Sequence, residues 1–126
     1  MNNSSLRKLW DVLTSGMASW HQGKLFIEHS VAIGHDSLHV IVGTILILLI
    51  ASVLRRPVSD WRPFLWVFAL GLWNEAVDLW VELWPDTGKQ LGEGAKDLML
   101  TMIVPTILLL TVRMRPRLFV PGRRKK

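Results

Sequence analysis

The sequence predicts an all-α polytopic membrane protein, with three transmembrane helices preceded by an N-terminal amphipathic interfacial helix. Half of the 126 residues are hydrophobic, and the apolar ones gather into three runs without charge, 40–54, 63–73 and 98–112. Each run, extended at one end, reaches the ~20 residues that cross ~30 Å of hydrocarbon. A soluble bundle would have to bury nearly the whole surface of three helices in a small protein. We therefore expect three spans.

The first element, residues 1–23, is expected to be an amphipathic surface helix. Leu6, Leu9, Leu13 and Met17 recur at steps of three and four residues, whereas Arg7 faces elsewhere. This pattern is typical of a helix lying in the membrane interface, and a helix packed on the membrane domain would show the same pattern. The sequence leaves both alternatives open.

The three spans are predicted at 25–54, 62–84 and 96–114, within a membrane domain covering 24–115. The first loop, "RRPVSDWRP", and the second loop, "WPDTGKQLGEG", contain proline and glycine breakers. Trp61 and Trp84 mark the two ends of the second span, as interfacial aromatic residues do. A basic tail, 116–126, follows the third span.

The placement of positive charge predicts the orientation. Ten of the 15 lysines and arginines lie in the first loop, at the end of the last span or in the tail: Arg55, Arg56, Arg62, Arg113, Arg115, Arg117, Arg123, Arg124, Lys125 and Lys126. The positive-inside rule places these segments in the cytoplasm and the N-terminus outside a cell (inner) membrane. The tail is better explained by contact with anionic lipids than by binding to nucleic acid. With no cysteine, disulfides and thiolate metal sites are excluded.

Polar side chains concentrate in the outer half of every predicted span. They are Glu28, His29, His35, Asp36 and His39 in the first, Asn74, Glu75, Asp78 and Glu82 in the second, and Lys96 and Asp97 in the third. The connectivity brings the three groups to one side of the membrane. Because an unpaired charge in hydrocarbon costs at least ~2.5–3.5 kcal/mol, such groups persist together by pairing around a polar cavity.

The cavity has three possible uses. Glu28, His35 and His39 are seven and four residues apart, which places them on one helical stripe and makes them candidate ligands for zinc or another divalent ion. A hydrogen-bonded network that holds three helices together is a second explanation. The third is an acid–base or ligand-binding site, for which the candidate catalytic residues are His35, Asp36, His39, Asn74, Glu75, Asp78 and Asp97.

Residues 36 to about 112 resemble VanZ-like membrane proteins. The pattern is Asp36-x-x-His39 at the head of an apolar span, Gly71-x-x-x-Glu75 late in the next span, and Asp97 with a polar residue four positions later. Ser37, Asp78 and Thr101 stand where that family usually has lysine, glutamine and asparagine. The resemblance implies a small polytopic membrane protein of poorly defined activity, in a family named for glycopeptide-antibiotic resistance. Its pocket would bind a membrane lipid, an envelope-linked ligand or a metal ion.

A second group of residues is similar to the small three-span prokaryotic diacylglycerol kinase. It consists of Asn74, Asp78 and Glu82 on the second span and Ala95-Lys96-Asp97 at the start of the third. This resemblance implies a lipid phosphotransferase. Two features oppose it: Gly71 stands where the glutamate is expected, and ATP is cytoplasmic whereas the placement of charge puts this cluster outside. The remaining hypothesis is an accessory subunit of a larger membrane complex. A homo-oligomer is compatible with all three.

Overall fold

The computed structural model describes residues 3–30 and 34–115, except for the side chains of Asn3, Glu28 and His29. The described chain forms four helices, α1 (Asn3–Ser30), α2 (His35–Val53), α3 (Trp61–Val81) and α4 (Thr87–Met114). The prediction of an all-α chain is confirmed for these residues. Helices α2, α3 and α4 are each long and apolar enough to cross a membrane. These three helices indicate a multi-pass membrane protein. The predicted tail, 116–126, lies outside the described residues.

Two helix boundaries differ from the predicted spans. The first span was predicted from residue 25, but residues 25–30 belong to α1 and the apolar helix begins at His35. Gly34, with φ −59° and ψ 146°, has an extended backbone that separates the two. The third span was predicted from residue 96, but α4 begins at Thr87 and includes the glycines that indicated a loop.

Aspartate caps explain where α3 and α4 begin. The Asp60 side chain accepts a hydrogen bond from the backbone N–H of Arg62 at 3.1 Å. The Asp86 side chain accepts from the N–H groups of Gly88 and Lys89, at 2.9 and 3.2 Å. These bonds satisfy backbone donors that have no partner in the first helical turn.

Each spanning helix buries a row of residues spaced by four, which lie one above another on a helix. The buried rows are Gly43, Ile47 and Ala51 on α2; Pro63, Val67, Gly71 and Glu75 on α3; and Asp97, Thr101 and Pro105 on α4. Helix α4 packs against both α2 and α3. The α3 and α4 rows become polar toward one end, so the contacts that pack these helices also assemble polar groups.

Helices α2 and α4 approach each other closely at Gly43. A Cβ at this position would overlap the carbonyl oxygen of Thr101. That carbonyl lacks its usual intrahelical partner because Pro105, four residues later, has no N–H to donate. Gly43 therefore fills a place where only a residue without a side chain allows the two backbones to meet, as small residues do between membrane helices.

Helix α1 packs against α3 through aromatic pairs. The Trp10 and Trp80 rings have centroids 5.6 Å apart and planes at 81°, an edge-to-face arrangement. Trp20 and Trp73 also have centroids 5.6 Å apart, with planes at 53°. These two contacts, almost three helical turns apart on α1, hold α1 against the second half of α3.

Candidate functional site

The predicted polar groups meet at one end of the bundle, around a cleft of about 290 Å³. The start of α2, the end of α3 and the first half of α4 contribute to it, and α1 covers one side. Its titratable lining residues are Lys24, His35, Glu75, Asp78, Glu82, Glu93 and Asp97. The expectation that the three polar clusters converge is therefore confirmed for the residues that the structure describes.

His39 is held in a defined orientation between α2 and α4. Its Nδ1 lies 3.0 Å from the Thr101 hydroxyl oxygen, and that hydroxyl donates to the backbone carbonyl of Asp97 at 2.9 Å. Since the only hydroxyl hydrogen is used in this way, the oxygen accepts a hydrogen bond from Nδ1–H of His39. The Nε2 atom of His39 then faces Oδ2 of Asp97, 3.6 Å away.

His35 lies beside the same carboxylate. Its Nδ1 is 3.7 Å from Oδ1 of Asp97 and 4.0 Å from Oδ1 of Asp36. The His35 and His39 rings are 4.8 Å apart. The side chain of Asp97 is only 10% exposed, and its Oδ1 has no hydrogen-bond partner among the described residues. This carboxylate is thus bordered by two imidazoles but hydrogen-bonded by neither.

Asn74 and Glu75 connect the α3 row to the cleft. The Asn74 amide donates to Oε1 of Glu75 at 3.1 Å and to Oδ2 of Asp78 at 3.3 Å. Its carbonyl oxygen accepts from the indole N–H of Trp20, at 3.2 Å. Glu75 is buried against α4, where a Cβ on Gly94 would lie 3.1 Å from its Oε2. Gly94 therefore leaves the space that this carboxylate occupies.

Sequence reasoning missed two site residues, His21 and Lys24 of α1. Nδ1 of His21 is 3.0 Å from Oδ1 of Asp78, and its Nε2 is 3.5 Å from Oε1 of Glu82. Lys24 forms an ion pair with the other Asp78 oxygen. The available signal was their spacing. Met17, His21 and Lys24 are four and three residues apart, which places both site residues on the face of Met17 if the helix continues past residue 23.

Asp36 and Lys96 lie at the more exposed rim. Nζ of Lys96 is 3.2 Å from Oδ1 of Asp36 and 2.6 Å from Oε2 of Glu93. Lys96 is therefore engaged with these two carboxylates. Asp36 contributes to the rim rather than to the buried part of the site, since its side chain is 63% exposed.

The predicted metal set, Glu28 with His35 and His39, stays a prediction. The Glu28 side chain lies outside those the structure describes, and Gly34 interrupts the helix on which the seven-residue spacing depended. Asp97 instead joins His35 and His39, with one ligand atom of each within 4.8 Å of the others. His21, Asp78 and Glu82 form a second group that meets the same distance limit.

Comparison of the chain with known protein families, with curated proteins and with solved structures finds no match to any of them.

Proposed function

We propose that this multi-pass membrane protein binds the ammonium-bearing headgroup of a membrane lipid or of a lipid-linked envelope molecule in its polar cleft. The observation that carries the proposal is the excess of carboxylates in the cleft. Five acidic residues line it against one lysine among the described residues. Such a site attracts a cation and repels an unaccompanied phosphate.

The pairing of charges within the cleft sharpens this preference. Lys24 pairs with Asp78, and Lys96 with Glu93. Among the described residues, Glu75 has only the neutral Asn74 amide as a side-chain hydrogen-bond donor. Glu75 is therefore well placed to receive a ligand cation, which would supply the positive charge that its buried surroundings lack.

The size and position of the cleft agree with a headgroup rather than a whole lipid. A volume of about 290 Å³ accommodates a small polar headgroup. Acyl chains would remain in the bilayer alongside the apolar halves of the helices. With the predicted orientation, the cleft faces the outer leaflet. The resemblance to VanZ-like membrane proteins supports a pocket that binds a membrane lipid or an envelope-linked ligand.

Lipid retention by the purified protein tests the proposal. Native mass spectrometry from detergent, after equilibration with phosphatidylethanolamine or phosphatidylglycerol, should show preferential retention of the amine-bearing lipid. Glu75→Gln removes one charge while keeping an acceptor for Asn74. We expect it to weaken retention by about tenfold, which corresponds to a loss of ~1.4 kcal/mol in binding free energy. Asp11→Asn, on the exposed part of α1, is the matched control and should leave retention unchanged.

Equal retention of the two lipids, or a preference for the anionic one, would contradict the proposal. So would a Glu75→Gln variant that retains the amine-bearing lipid as well as the wild type does. Detergent-solubilised variants should first be shown to elute with the wild type on gel filtration, so that a loss of retention reports on the site.

A further inference from the structure

We propose that His35, His39 and Asp97 bind one divalent transition-metal ion, with zinc as the best-fitting ion. Two imidazole nitrogens and a carboxylate are a donor set that zinc uses in proteins. The inference goes beyond headgroup binding, because this site lies where α2 meets α4 and requires no lipid. It also differs from the set predicted from sequence, since Asp97 of α4 supplies the carboxylate.

The separation of the ligand atoms fits an ion between them. Oδ1 of Asp97 is 3.7 Å from Nδ1 of His35, and Oδ2 is 3.6 Å from Nε2 of His39. Two ligands of a tetrahedral zinc, each at ~2.0–2.1 Å, lie roughly 3.3 Å apart. Both nitrogen–oxygen distances exceed this value by only a few tenths of an ångström. One ligand atom of each of the three side chains lies within 4.8 Å of the others.

The buried Oδ1 atom of Asp97 is a second, independent observation. It is inaccessible and has no hydrogen-bond partner among the described residues. A buried carboxylate oxygen without a donor is unfavourable, because it has lost its water and gained nothing. Lys96 does not serve it, since that ammonium is engaged with Asp36 and Glu93. A bound cation would satisfy this oxygen.

Thr101 prepares His39 to act as a ligand. Because the Thr101 hydroxyl accepts from Nδ1–H, the free lone pair of a neutral His39 is on Nε2, which points toward Asp97. Histidine ligands are commonly oriented by a hydrogen bond from their other nitrogen. Without an ion, this lone pair would face the negative carboxylate.

A direct ion pair between a protonated histidine and Asp97 explains the geometry less well. An N–H···O hydrogen bond has a heavy-atom distance of about 2.7–3.2 Å. Both nitrogen–oxygen distances, 3.6 and 3.7 Å, exceed this range. His35 is 40% exposed, so an ion can enter past it, and three protein ligands leave a further coordination position open.

Cobalt titration of the full-length protein in detergent tests the site, with Co²⁺ as the spectroscopic probe for zinc. After chelator treatment, the wild type should bind one equivalent of Co²⁺ with the intense visible absorption of a four- or five-coordinate ion, and Zn²⁺ should displace it. His39→Asn and Asp97→Asn keep polar groups of similar size, and each should weaken binding by at least about tenfold. His35→Ala changes the most exposed ligand and should have the same effect with the least disturbance to folding.

His21→Ala is the discriminating control, because His21 belongs to the other group of possible ligands. It should leave Co²⁺ affinity and spectrum unchanged. The proposal would be overturned by a wild type that binds no Co²⁺, by undiminished binding in His35→Ala, or by loss of binding in His21→Ala alone. The thermal unfolding of each metal-free variant separates ligand loss from misfolding.

Discussion

Replacing Gly43 by alanine should separate α2 from α4 and disturb the polar site through packing alone. The added methyl group would overlap the Thr101 carbonyl oxygen and lie 2.8 Å from its carbon. Since carbon atoms pack at ~3.5–4.0 Å, the helices must move apart by about 1 Å. The atoms in the way belong to the backbone, which has no rotamer with which to avoid the clash.

Two effects lower the free energy of unfolding of the Gly43→Ala variant. Overpacking of this kind destabilises by about 1–3 kcal/mol. A separation of about 1 Å would also stretch the 3.0 Å contact between His39 Nδ1 and the Thr101 hydroxyl beyond hydrogen-bonding range. Losing that bond adds about 0.5–1.5 kcal/mol. We expect a total loss of about 2–4 kcal/mol in the free energy of unfolding.

Reversible unfolding in mixed micelles, followed by tryptophan fluorescence, measures this loss. Gly92→Ala on α4 is the matched control, because a Cβ there would meet nothing within 4 Å. Alanine favours a helix over glycine by up to ~1 kcal/mol, so the control should be neutral or stabilising. If Gly43→Ala proved as stable as Gly92→Ala, the close approach of α2 and α4 at Thr101 would be refuted.

Three further predictions concern orientation, the docking of α1 and the start of α3. In intact cells, Thr87→Cys should react with a membrane-impermeant maleimide and Ser59→Cys should not, because the positive-inside rule places the second loop outside. The reverse labelling pattern would place the cleft in the cytoplasm and make a lipid-kinase assay the next measurement. Lys24→Met should speed amide hydrogen exchange in α1, since Asp78 loses its lysine; unchanged exchange would contradict a contribution of this ion pair to the docking of α1. Asp60→Ala should lower the free energy of unfolding by about 1 kcal/mol through loss of the α3 cap, and an unchanged denaturation midpoint would contradict this.

The sequence was sufficient to predict the three apolar helices and the meeting of their polar ends. Both follow from local hydropathy and from the way in which alternating spans return to the same side. The pairings inside the site did not follow, because they join residues far apart in the chain. His39 and Thr101 are 62 residues apart, and His21 and Asp78 are 57 apart. Which of two neighbouring carboxylates receives a histidine depends on helix rotation, which periodicity alone does not specify.

The glycines of the second loop show why one boundary was wrong. Gly88, Gly92 and Gly94 indicated a loop because glycine lowers helix propensity. In the structure Asp86 caps this segment, and a Cβ on Gly94 would crowd the Glu75 carboxylate that packs against α4. Close packing against another helix thus overrides the local preference, which a scan of propensities does not reveal.

Packing and chemistry share one row of residues on α4. Pro105 leaves the Thr101 carbonyl free for the approach of Gly43, and the Thr101 hydroxyl orients His39 beside Asp97. If this network served only to hold the helices together, both oxygens of so buried a carboxylate would be expected to accept hydrogen bonds, as buried polar groups normally do. The fold instead supports His39 firmly and leaves Oδ1 of Asp97 without a donor among the described residues. A rigid frame around an unsatisfied buried acid is expected when the missing partner is a ligand.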